Sequence, residues 1–117
     1  MTGLSISYQF CALTDPGRVR ANNEDAVTVD PVAQLAVLAD GMGGYNAGEV
    51  ASGMATTFIQ AELSRWIAQA GTHLKAQDLR RAIEICVDNA NQAILGASEA
   101  NPQYMGMGTT LVVGVFQ

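Results

Sequence analysis

Hydrophobic and polar positions change their period twice along this chain. Residues 6–14, ISYQFCALT, place Tyr8, Phe10, Ala12 and Thr14 on one side of an extended segment. Ile6 and Leu13 interrupt strict alternation, and the stretch predicts a first strand. Asp15-Pro16-Gly17 is turn chemistry, because proline fixes φ and glycine permits φ > 0. Residues 25–29, DAVTV, predict a short second strand, and Asp30-Pro31 a turn after it. Residues 34–39, QLAVLA, are continuously apolar, as expected of a strand buried on both faces. The two runs are close enough to pair as a hairpin.

From Gly48 the spacing becomes helical. Val50, Met54 and Phe58 recur with Ala51, Ala55, Leu63 and Ile67, and Gly71 is a stop signal after Ala70. A polar link, THLKAQ, follows. Leu79, Ala82, Ile83, Cys86, Ala90, Ala93, Ile94 and Ala97 then form one apolar stripe, with Arg80, Arg81, Glu84 and Asp88 off it. Asn101-Pro102 ends this second helix, since a residue before proline avoids the α region. Two long helices on a short link predict an antiparallel pair. Residues 108–116, GTTLVVGVF, are rich in β-branched side chains and predict a last strand. The order is strand, strand, strand, helix, helix, strand, an α+β class. A strand reading LVVGVF wants neighbours on its edges and cover on its faces. The expectation is a domain that continues beyond Gln117.

Length and composition narrow the class. The 117 residues fit one domain, and 49% hydrophobic with 15% charged residues describes a globular chain. No apolar run approaches the ~18 residues of a membrane span, and MTGLSISYQF does not read as a signal peptide. The net charge of −5 argues against a nucleic-acid groove. Cys11 and Cys86 are expected to be two buried free thiols in a reducing, cytoplasmic compartment. Asp15, Glu24, Asp25, Asp30, Asp40 and Glu49 crowd the first fifty residues against Arg18 and Arg20.

Asp40 carries the strongest chemical signal. It ends an apolar run and precedes a loop holding Gly41, Gly43, Gly44 and Gly48. An ionised carboxylate there is costly unless it is paired or ligates a metal. Carboxylates and glycine-loop carbonyls are the oxygen donors that Mg²⁺ or Mn²⁺ takes. If the hairpin forms, Glu24, Asp25 and Asp40 fall at one end of it, where three acids repel without a cation. Arg20 is close by in sequence, and guanidinium is a natural fork for phosphate. Each residue also has a plain structural reading: a turn aspartate, a solvated strand start, a surface ion pair of Arg20 with Glu24. The glycine loop lacks the third glycine of a dinucleotide fingerprint and the ending of a P-loop. His73 is expected in solvent, Trp66 in the core or the helix interface, and Met105 and Met107 in packing or a turn.

Three ordered segments, TDPGRVRANNEDA (14–26), VLADGMGGYNAGEVAS (37–52) and MGTTLVV (107–113), resemble motifs of the metal-dependent serine/threonine protein phosphatases, the PPM or type-two-C family, especially its bacterial branch. The resemblance runs over essentially the whole chain and covers about the first half of the family's catalytic domain. It implies that residues 1–117 are the N-terminal half of an α-β-β-α sandwich, with no separate second domain. It implies Arg20 on the substrate phosphate, and Glu24 and Asp25 on metal directly or through water. Asp40 would bridge two Mn²⁺ or Mg²⁺ ions as the catalytic carboxylate, and the Gly41 carbonyl would ligate one. The implied reaction is hydrolysis of phosphoserine and phosphothreonine in proteins by a metal-activated water, without a phosphoenzyme and in opposition to a serine/threonine kinase. Met42 stands where eukaryotic members carry histidine, and no acid follows Glu99 to supply the family's later metal aspartates. The 117-residue chain by itself is therefore expected to be inactive. A different class stays open: a non-catalytic half-domain that binds a partner or another copy of itself through the LVVGVF edge.

Overall fold

An aspartate closes the first hairpin. In the computed structural model, which describes residues 7–20 and 22–116, β1 (Asp25–Asp30) and β2 (Leu35–Met42) pair antiparallel. In the turn, the Val32 and Ala33 amides each donate to Asp30 Oδ1 at 3.1 Å, and Gln34 takes a left-handed φ of 57°. This is the aspartate turn chemistry that Asp-Pro announces. The β2 strand runs on through the first glycine of its loop, so Asp40 lies inside the strand and not at its end.

The helices follow the expected spacing and extend beyond it. Helix α1 spans Ala47–Ala70 and ends where the Gly71 N–H, at φ 58°, bonds back to the Ile67 carbonyl. Helix α2 spans Ala76–Ala100 and stops at Asn101, which is extended ahead of Pro102. Val50 and Met54 share a cluster with Ile94 and Ala97, while Trp66 lies near Ala82 and Cys86, so the helices run antiparallel. Helix α1 packs on the sheet and on α2 at once. Its buried set is therefore wider than one stripe and includes Ser52 and Thr56. Their hydroxyls are satisfied by carbonyls of the preceding turn, Ser52 on Glu49 and Thr56 on Ser52.

The last strand region pairs with β2 in two pieces, β3 (Gly108–Thr109) and β4 (Val112–Val115), separated at Thr110 and Leu111. Leu35, Val37, Ile59, Leu63, Ala82, Cys86 and Ala90 form the main core. Its shape corrects the expectation that β2 is buried on both faces. Leu35, Val37 and Ala39 are fully buried under the helices, but Leu38 on the other face is 49% exposed and its partner Val112 is 62% exposed. The helices cover one face alone.

Two further expectations are corrected. Residues 7–14 form no strand, and Ile6 lies outside the described residues. The segment is tied down by rings instead of a ladder, with Tyr8 and Phe10 packed 5.6 and 5.7 Å from Phe116. Cys11 in this segment is exposed, and only Cys86 is a buried thiol. Burial raises the Cys86 thiol above its ordinary value, with Glu62 adding to the effect and Arg65 opposing it. His73 is exposed and Trp66 packs against the core, as the sequence predicts. Among the described residues no helix is long and apolar enough to cross a membrane.

Candidate metal and phosphate site

The β1–β2 register decides which acids meet. Asp25 lies directly across from Asp40. Cross-strand partners share a face, and this face is the one turned away from the helices, which Leu38 and Met42 also occupy by alternation. The two acids are therefore neighbours on that face, close enough for the Asp40 side chain to act on the Asp25 carboxyl. The Asp25 carboxyl is held above its ordinary value, first by desolvation between the strand ends although the residue stays exposed, then by its bond to Asp40 and the Asp40 charge. The positive charge of Arg20 acts in the opposite sense, which brings the guanidinium into the electrostatic neighbourhood of the pair.

Glu24 goes elsewhere. Its main-chain carbonyl accepts the Gly41 N–H at 2.9 Å, so it stays at the same strand end. Its carboxylate, however, lies against Gly48 in the first turn of α1, where a Cβ on Gly48 would stand 2.6 Å from Glu24 Oε2. This is the helix side of the sheet, where helix N-terminal amides favour an anion. The hairpin thus joins two of the three acids face to face and holds the third behind them. Among the described residues, no three His, Cys, Asp or Glu side chains gather into a metal cage.

The donor set nonetheless fits a hard divalent cation. Two carboxylates set side by side on neighbouring strands repel, and a divalent ion between them relieves that repulsion. Asp30, an acid counted with the others in the sequence, is excluded from this role. It occupies the far end of the hairpin, holding the turn with Oδ1 and accepting from Gln60 Nε2 at 2.9 Å with Oδ2.

Several supporting residues escape a reading of the sequence. Gly48 allows α1 to rest on the Gly41 backbone and the Glu24 carboxylate. Asn22 donates from its side chain to Asn46, which carries a left-handed φ of 63° ahead of α1 and so ties the acidic segment to the helix start. Thr110 bonds to both the N–H and the carbonyl of Asp40. The signals were present as Gly-Glu after the loop and as the Gly-Thr-Thr run, but neither announces a contact across the sheet.

The family model described as Protein phosphatase 2C matches residues 18–117. The serine/threonine protein phosphatase PstP of Mycobacterium tuberculosis is 37% identical over 116 residues, 99% of this chain and 21% of that protein. The protein phosphatase PhpP of Streptococcus pneumoniae is 39% identical over 111 residues, 90% of this chain and 42% of that protein. The crystal structure of the PstP catalytic domain in complex with two manganese ions superposes with a TM-score of 0.72 at 40% identity, covering 88% of this chain and 40% of that one. Stp1 of Staphylococcus aureus superposes with a TM-score of 0.71 at 30% identity, over 100% of this chain and 47% of that one. The chain spans less than half the length of each of these relatives.

Proposed function

The chain belongs to the protein phosphatase 2C family, and on that premise we propose that the protein of which it forms part hydrolyses phosphoserine and phosphothreonine in other proteins. The observation that carries this reading is the Asp25–Asp40 pair, two facing carboxylates within reach of the Arg20 charge. Residues 1–117 are read as part of one catalytic domain.

In this reading Asp25 and Asp40 would hold divalent metal, Mn²⁺ or Mg²⁺, with Asp40 as the catalytic carboxylate. The manganese-bound relative supports that choice. Glu24, whose carboxylate lies against Gly48 behind the sheet, would act on the metal directly or through water. The Gly41 carbonyl adds a neutral oxygen donor. Bound metal supplies an activated water and neutralises charge on the phosphoryl group. The Arg20 guanidinium would bind the phosphate and offset charge that grows on its oxygens. Met42, two residues from Asp40, has no titratable proton, so the serine or threonine oxygen takes its proton from water or another group. The substrates are phosphoproteins made by a serine/threonine kinase, and the setting is signalling in the cytoplasm, where Cys11 and Cys86 remain free thiols.

The test is hydrolysis of a phosphothreonine peptide by the full-length protein with added Mn²⁺, with chelator, and with Asp40→Asn. Turnover that needs manganese and Asp40 is expected. Turnover that survives chelation or the substitution, or no turnover at all, overturns the reading.

A further inference from the structure

Opposite Asp40 the sheet departs from its regular pattern. The register that pairs Leu38 with Val112 and Gly41 with Thr109 sets Thr110 across from Asp40. A regular antiparallel pair at such a position exchanges two main-chain hydrogen bonds. Here one of them is main-chain: the Thr110 N–H donates to the Asp40 carbonyl at 2.9 Å. The return bond goes to a side chain, because the Asp40 N–H donates to Thr110 Oγ1 at 3.1 Å. The same hydroxyl donates to the Asp40 carbonyl at 3.4 Å. The Thr110 carbonyl, displaced from the ladder, accepts from the Thr109 hydroxyl at 2.8 Å.

We infer that Thr110 is a positioning residue for the metal site, its hydroxyl fixing the peptide that presents the Asp40 carboxylate to Asp25. The inference rests on the metal-dependent reading above. Two like charges on neighbouring strands turn away from each other unless the backbone beneath them is held. The neighbouring Gly41 N–H, by contrast, bonds to the Glu24 main-chain carbonyl at 2.9 Å, a contact independent of either side chain. At Thr110 the acceptor is a side-chain oxygen, so the residue type decides whether the bond exists. The position is exposed. Water therefore satisfies the Asp40 N–H when the hydroxyl is lost, and the strand survives while the peptide is freed to turn. A purely structural role would accept valine at 110, since valine suits a strand; the positioning role requires a hydroxyl.

The experiment uses the full-length protein with Thr110→Ser, Thr110→Ala and Thr110→Val. It measures Mn²⁺ binding by calorimetry, thermal melts without metal, and kcat and KM for para-nitrophenyl phosphate. Serine is expected to bind manganese within about threefold of wild type, and alanine and valine about 10- to 100-fold more weakly, as for other groups that orient a metal ligand. The kcat falls in the same order with KM for the phosphoester unchanged, and the metal-free melts stay close to wild type. Alanine and valine binding manganese like wild type overturns the inference, as does serine binding as poorly as alanine. If the valine variant fails to fold, the serine–alanine comparison decides alone. A wild type that binds no manganese overturns the proposed function and this inference together; a wild type that binds and turns over, with unaltered variants, overturns the inference alone.

Discussion

The backbones of Gly41 and Gly48 are in direct contact, and a Cβ built on Gly41 would stand 1.9 Å from the Gly48 carbonyl oxygen. The neighbouring atom is main chain and cannot swing aside. Gly41→Ala therefore forces β2 and α1 apart, and we expect a loss of about 3 kcal/mol, at the upper end of overpacking costs. Gly53 is the control. It lies in α1 with nothing within 4 Å of a Cβ placed there. Gly53→Ala is expected to raise stability by about 1 kcal/mol through helix propensity. Urea melts of the two variants check both signs.

Replacing one member of the carboxylate pair separates folding from function. In metal-free protein Asp25→Asn removes a like charge and keeps a donor for Asp40. The raised Asp25 carboxyl gives the folded state an advantage below the ordinary carboxylate range, which is lost as pH rises through its folded value. The variant is thus expected to melt higher than wild type at pH 7 without metal, and to lose the stabilisation that Mn²⁺ gives wild type. Thermal melts with and without Mn²⁺ measure both effects, and a lower metal-free melt contradicts the first.

Asp30 stabilises a turn and has no part in the metal site. Asp30→Ala removes the acceptor of the Val32 and Ala33 amides and of Gln60. A loss of about 1–2 kcal/mol is expected in denaturant melts. Manganese affinity by calorimetry is expected to stay unchanged.

The two thiols differ in reach. Cys11 is exposed and Cys86 is buried with its thiol held protonated. Brief alkylation of the native protein is expected to label Cys11 alone, with Cys86 labelled only after denaturation. Peptide mapping reads the result. Stability carried by the protonated Cys86 is present below the ordinary thiol range and declines as pH rises above it.

Much of the site was legible in local sequence because its signals are local. Asp30-Pro31 sets a short turn, and the turn fixes that Glu24, Asp25 and Asp40 meet at one end of a hairpin. Glycine after Ala70 and proline after Asn101 end helices by constraints that act within a turn. Asp40 could be singled out because an acid beside an apolar run is costly wherever the chain goes, and Arg20 because a guanidinium beside acids suits a phosphate.

What only the tertiary structure decided depends on which face each residue shares and with what. Alternation along β1 sends Asp25 toward Asp40 and Glu24 toward α1, and that choice follows from the face the helices cover. The same choice leaves Leu38 half-exposed in a run that reads as fully buried. Residues 7–14 have the alternation of a strand, but alternation does not supply a neighbour, and Tyr8 and Phe10 settle on Phe116 instead. Gly48 and Thr110 matter through atoms that arrive from distant parts of the chain: the Gly41 backbone for one, the Asp40 peptide 70 residues away for the other. A sequence fixes what each residue is able to do alone, whereas close contact between two main chains exists only once both elements are in place.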